Sequence, residues 1–164
     1  MARKSSFGAI AGARTRLLVL GSLPGEESLL RGEYYAHPRN QFWRLTGVVI
    51  GAELVSLPYL SRLEALQAAG VGLWDVVRSA ARQGSLDTHI REHEPNALEA
   101  LVAELPKLKA VAFNGGTALR LGRGLLDGAA DVQIVALPSS SPAHTLAFDR
   151  KLEAWMALRA FLDR

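Results

Sequence analysis

Residues 16–21 read Arg16-Leu-Leu-Val-Leu-Gly21. Four successive apolar side chains with no polar alternation describe a strand buried on both faces, and the Gly-Ser-Leu-Pro-Gly that closes it is turn chemistry. Three later runs carry the same signature: Val71–Val77, Lys109–Phe113 and Val132–Leu137. Between them lie segments of helical period. Gln41–Ile50 places Phe42, Leu45, Val48 and Val49 at core spacing. Ser61–Ala69 opens on a Ser61/Glu64 capping box and ends before Gly70. Pro95–Leu105 carries its proline in the first turn, and Gly115-Gly116 opens a helix towards Leu121. Phe148–Leu162 shows its period in Leu152, Trp155, Met156, Leu158, Arg159 and Leu162. Alternation of this kind predicts an α/β fold, a three-layer αβα arrangement around a four-stranded parallel sheet.

The chain has 164 residues, of which 49% are hydrophobic and 21% charged, with a mean hydropathy of +0.10. These figures predict one globular domain over residues 1–164, with 1–14 as a flexible lead. Cysteine is absent, which excludes disulfides, thiolate nucleophiles and Cys-held metal, and fits a reducing cytoplasm. No apolar run approaches the ~20 residues that span a bilayer. The 19 basic residues divide into 15 Arg and 4 Lys and leave a net charge of +3. Arginine's planar fork suits a polyanion, although GC-rich codon usage enriches it equally well.

In a parallel sheet of this type, sites lie beyond the carboxyl ends of the strands. The informative loops therefore begin at Gly21, Asp75, Asn114 and Pro138. The first, Gly21-Ser-Leu-Pro-Gly25, lets a ligand approach the backbone closely and runs on to Tyr34-Tyr-Ala-His-Pro-Arg-Asn-Gln-Phe-Trp43. Four of the eleven aromatics fall within those ten residues, beside Arg31, Arg39 and Arg44, a mixture that suits a stacked base next to phosphates. Phe42 and Trp43 also read as core positions of the next helix, and Asn40 as its N-cap. Asp75 ends an apolar strand at the mouth of the site. Asn114 is a turn residue or a reader of a ligand's edge. Leu137-Pro-Ser-Ser-Ser-Pro-Ala-His144 wraps a phosphate with hydroxyls and backbone N–H groups, or is only a loop. His89-Ile-Arg-Glu-His93 has the H-x-x-E-H spacing of some zinc peptidases. Boxed between Gly84 and Pro95, it reads instead as a short solvated helix, and no metal is expected.

Taken together, these segments resemble the uracil-DNA glycosylase superfamily, and within it the hypoxanthine-DNA (deoxyinosine) glycosylases, from about Leu17 to Leu162. The resemblance rests on Gly21-Ser-Leu-Pro-Gly25, Tyr35-Ala-His-Pro-Arg-Asn-Gln-Phe-Trp43, Ser85-Leu-Asp87, Phe113-Asn-Gly115 and Leu137-Pro-Ser-Ser-Ser-Pro-Ala143. It implies an enzyme, without cofactor, that flips a deaminated base out of double-stranded DNA and hydrolyses its N-glycosidic bond. No lysine occupies the motif loops, so a monofunctional enzyme without a Schiff-base step is expected. The usual Asp or Asn of the first motif is replaced by Leu23, and the His that opens the last motif by Leu137. The resemblance then gives the water-positioning role to Asn40. It implies that Ser22, Leu23, Phe42, Asp75 and Asn114 form the base site, with Phe42 stacking on the base. Asp75 as a carboxylate would accept from hypoxanthine N1–H while Asn114 donates to O6. Pro24, Gly25, Arg39, Ser139, Ser140, Ser141, Pro142 and His144 would hold the DNA. A monomer in the cytoplasm of a bacterium, at the nucleoid, is the matching expectation.

Two other readings use the same residues. A mismatch-specific uracil or thymine glycosylase shares the His-Pro-x-Asn-x-Phe-Trp stretch, and Leu23 speaks against it. A non-catalytic module for damaged DNA would explain the arginines and aromatics without any role for Asn40. A nucleotide-handling Rossmann-like enzyme is weaker, since no G-x-G-x-x-G follows the first strand.

Overall fold

The structure is a computed structural model and describes residues 3–129 and 131–162. The opening stretch is strand β2 (Leu17–Gly21), every residue of which is buried. A short strand β1 (Arg3–Ser5) precedes it, and β3 (Val71–Asp75), β6 (Ala110–Asn114) and β7 (Gln133–Leu137) complete a parallel sheet in the order β3-β2-β6-β7. Two-faced burial explains the unbroken apolar runs of β2 and β6, whereas β7, at the edge of the sheet, leaves Gln133, Ile134 and Ala136 exposed and only Leu137 buried. Leu17 and Val19 face one layer, with Leu73, Ala110 and Ala112. Leu18 and Leu20 face the other, with Val111 and Phe113.

The first layer consists of α2 (Phe42–Ile50), α3 (Tyr59–Ala68), α6 (Phe148–Trp155) and α7 (Arg159–Leu162), and Leu45, Leu66, Trp155 and Leu158 are its buried contacts. A single 3-10 turn, Met156–Leu158, interrupts the expected closing helix. Arg159 belongs to its period for a polar reason: the guanidinium donates to the Val48 and Val49 carbonyls at the end of α2. The opposite layer holds α4 (Leu98–Ala103) and α5 (Gly116–Gly122), with Leu98 and Ala118 buried. A further helix, α1 (Glu26–Arg31), follows the first loop.

Several expectations are corrected. Val48 is 39% exposed rather than core. Helix α3 starts at Tyr59, so Ser61 lies inside it and no side chain caps it; Gly70 follows the helix at φ +89° as expected. The Val71–Val77 run is two strands. The chain leaves the parallel sheet after Asp75 and re-forms as β4 (Val77–Ala81) in a second, antiparallel sheet of order β1-β4-β5, with β5 at Arg91–Pro95. Pro95 therefore ends a strand instead of opening a helix. The His89/His93 pair sits on a 3-10 turn (Asp87–His89) and on β5, so no helix presents the two imidazoles on one face. The N-terminal lead is pinned from Arg3 onward. Its strand pairs with β4, Trp74 donates to the Phe7 carbonyl at 3.0 Å, and Tyr34 to that of Gly8 at 2.7 Å. Among the described residues no helix is long and apolar enough to cross a membrane.

Candidate active site

Parallel pairing sets Gly21 beside Asp75, and Asn114 beside Leu137, so the four strands end at one edge. A cavity of about 600 Å³ opens there. Its walls are the loops the sequence singles out, joined by Tyr34, Tyr35, His37 and Asn40 from the segment before α2. Ser85, Leu86, Asp87 and Thr88, which follow β4, close the remaining side.

Asn40 is not the N-cap of α2: Gln41 holds that position without a side-chain cap bond, and Asn40 stands one residue earlier. The Asn40 Oδ1 accepts from the Phe42 N–H at 2.9 Å, fixing the start of α2, while the side chain lines the cavity. Its Nδ2 makes no hydrogen bond among the described residues, so two amide protons are free for a ligand or a water.

Phe42 does not line the cavity. It is fully buried, edge-on to Trp43 and Trp155, and its ring is covered by Tyr35, stacked at 3.9 Å and 11°. Of the two stacked rings it is Tyr35 that lines the cavity, at a backbone φ of +53° that bulky residues rarely adopt. The Tyr35 hydroxyl accepts from Asn114 Nδ2 at 3.3 Å. Burial, with the nearby Asp75, holds that hydroxyl well above the ordinary phenol range.

Asn114 has no donor to spare. Its second amide proton goes to Ser140 Oγ at 2.9 Å, and its Oδ1 accepts from the Ser140 N–H at 2.9 Å. This residue therefore ties β6 to the last loop, and reading O6 with the same amide would require Tyr35 to let go. Ser140, 1% exposed, is equally committed. Ser139 and Ser141 line the cavity, and their hydroxyls accept from the N–H groups of Ser141 and Ala143 at 3.1 Å. From behind the loop Lys151, itself 1% exposed, donates to the Ser141 carbonyl at 3.2 Å. A lysine thus reaches a motif loop from α6 without lining the cavity. Pro142 and His144 are exposed at its edge. Arg39 is exposed and lies outside the lining.

The acidic side is built by the first loop and the second sheet. Ser22 Oγ donates to Asp87 Oδ1 at 2.6 Å. Leu23 is buried against Val77 and Ala80, so it anchors its loop while bordering the cavity with Pro24 and Gly25. Arg82, 1% exposed, donates to the carbonyls of Leu23, Pro24 and Gly84. Asp75 is 4% exposed and lines the cavity, and its Oδ2 has no hydrogen-bond partner among the described residues. Burial first, and the Asp87 charge second, push its carboxyl up to about 7, against a smaller opposing pull from Arg82. A buried titratable group aimed into a cavity is the signature of a working site. Tyr35 and Asp87 stand inside stretches that carry the resemblance, Tyr35 also in the aromatic cluster, but nothing in them gave either a role; Arg82 had no signal in the sequence.

Residues 7–163 match the sequence profile described as the uracil DNA glycosylase superfamily. A protein named hypoxanthine DNA glycosylase from Methanosarcina acetivorans is 37% identical over 158 residues, 94% of this chain and 97% of its own length. A namesake from Methanosarcina barkeri is 45% identical over 113 residues, 69% of this chain and 72% of its own. A solution NMR structure from M. acetivorans, provisionally described as a uracil DNA glycosylase, superposes with a TM-score of 0.89 at 36% identity, covering 99% of this chain and all of the other.

Proposed function

Since this chain belongs to the uracil DNA glycosylase superfamily, we propose that it excises hypoxanthine from deoxyinosine in DNA. The reaction is hydrolysis of the N-glycosyl bond in base excision repair, the activity that the names of its relatives specify. The observation that carries the reading is the convergence on one cavity of an amide with uncommitted protons, Asn40, and a buried, unpartnered carboxyl, Asp75. The base leaves the stack, at a cost of a few kcal/mol that is least for a mispaired or deaminated base. It enters the cavity against Tyr35, with Asp75 at its edge. Asn40 positions the water by hydrogen bonding. A neutral amide is a weak base, but it suffices where the sugar is already oxocarbenium-like and positioning dominates.

Arg39, His144 and the backbone of residues 24–25 and 139–142 meet the DNA strand around the opening. The acting form in this reading is a monomer. A DNA substrate supports a location with the chromosome, in the cytoplasm.

The test is cleavage of a labelled duplex holding one deoxyinosine, beside a uracil twin, with abasic sites revealed by alkali. Asn40→Ser keeps an oxygen within reach of the Phe42 N–H and removes the amide. It should lose about 100-fold or more in rate while melting within a few degrees of wild type. Uracil cleavage alone would move the chain to the mismatch-uracil branch. Binding without cleavage of either would leave a damage-binding module.

A further inference from the structure

Hypoxanthine offers its N1–H donor and O6 acceptor side by side, as a cis lactam. A carboxylate matches only the donor, and its second oxygen faces O6 lone pair to lone pair. Asn114 cannot supply the missing donor, because both its amide protons are taken by Ser140 and Tyr35, and the free Asn40 amide is given to the attacking water. We propose, building on the reading above, that Asp75 meets the base as an uncharged carboxylic acid, accepting N1–H on one oxygen and donating its proton to O6 from the other.

The setting favours that form. An ionised carboxylate at 4% exposure with an unpartnered oxygen is costly, whereas the acid needs only one acceptor, which the base supplies. The charged and titratable groups facing it are Asp87 from the turn after β4, Arg82 from the end of β4, and Tyr34 and Tyr35 from the segment before α2. Arg82 gives its guanidinium to three backbone carbonyls, and Asp87 adds a like charge. The carboxyl that results is pushed up to about 7, so the acid is well populated at neutral pH.

The same proton then assists departure. As the C1′–N9 bond breaks, its electron pair stays with the purine. The Asp75 proton passes to O6, so the base leaves as the neutral 6-hydroxy tautomer. Water adds its oxygen to C1′ and releases a proton to solvent, and solvent returns one to Asp75. One side chain both selects the lactam edge and neutralises the leaving group.

The experiment is single-turnover cleavage of the deoxyinosine duplex at saturating enzyme between pH 5.5 and 9, for wild type, Asp75→Asn and Asp87→Asn. Wild type should lose rate above about pH 7, approaching tenfold per pH unit. Asp75→Asn keeps the donor and acceptor pattern but cannot transfer a proton or titrate. It should bind the duplex as wild type does, cleave about 100-fold more slowly at pH 6, and show no descending limb. Asp87→Asn removes the like charge, so the limb should move to lower pH, a shift that a merely structural role would not produce. A wild-type rate that is flat or rising from pH 7 to 9, or a limb that survives in Asp75→Asn, overturns the proposal and leaves the glycosylase reading intact. Absence of abasic product from wild type at every pH overturns both.

Discussion

Gly21 has room for a hydrogen and nothing more. A Cβ there would sit 2.6 Å from Asp75 Oδ1 and 2.9 Å from the Tyr35 hydroxyl. Gly21→Ala should therefore push the two site groups apart, lowering deoxyinosine cleavage tenfold or more while costing about 1–3 kcal/mol in denaturant melts. The aromatic pair separates packing from chemistry in the same way. Phe42→Ala empties a fully buried site and should cost about 3–5 kcal/mol. Tyr35→Phe keeps the stack and removes one acceptor from Asn114, so its stability should change by only about 1 kcal/mol. A melt midpoint for Tyr35→Phe as low as that for Phe42→Ala would show that the hydroxyl, not the ring, holds the segment. The sequence placed both aromatics in one motif but could not say which of the two stacked rings meets the cavity. That order exists only once α2 has docked.

Among elements, the parallel strands were legible and the second sheet was not, for one physical reason. Strands β2 and β6 are buried throughout and read as apolar runs, whereas every residue of β5 is exposed, so Arg-Glu-His-Glu-Pro carries no burial signal. The site divided along the same line. Strand ends located Asp75 and Asn114 in advance, but the bonds that use up the Asn114 amide come from Ser140, 26 residues on, and from Tyr35, 79 residues back. Two buried cations brace such loops and should behave differently when removed. Arg82 fastens the first loop through three carbonyls, and Arg82→Met leaves them without a donor, at an expected cost of about 2–4 kcal/mol. Lys151 makes one bond, to the Ser141 carbonyl, and burial holds its ammonium below the usual lysine range. Lys151→Met should fall within about 1 kcal/mol of wild type, because an apolar side chain of similar length removes a desolvation cost together with a bond. Urea denaturation of both variants decides this, and a larger loss for Lys151→Met than for Arg82→Met would contradict it.

At the scale of the molecule, the site is held against stability. Asp75 is raised in the folded chain from 3.8 to about 7, so between those values the native state holds more protons than the unfolded one. Its contribution is fully present below about pH 4 and is lost as pH rises towards 7. Asp75→Asn should then melt above wild type at pH 8, by on the order of 3 kcal/mol, with the difference shrinking towards pH 5. Equal melting at both pH values would contradict the burial argument. The surface works on another lever. With a net charge of +3 drawn from 19 basic residues, duplex affinity should fall at least tenfold between 50 and 200 mM salt as phosphate contacts are screened, measurable by fluorescence anisotropy.

A single residue, Val76, separates β3 from β4, so the two sheets are one bent ribbon. The carboxyl on one side of the bend and the wall of residues 85–88 on the other keep a spacing fixed by that corner. Loops elsewhere around the opening can lengthen without disturbing it. A roomier cavity for bulkier lesions would have to be made by inserting residues at this hinge, and each one inserted would loosen the base-reading end as much as it widened the space.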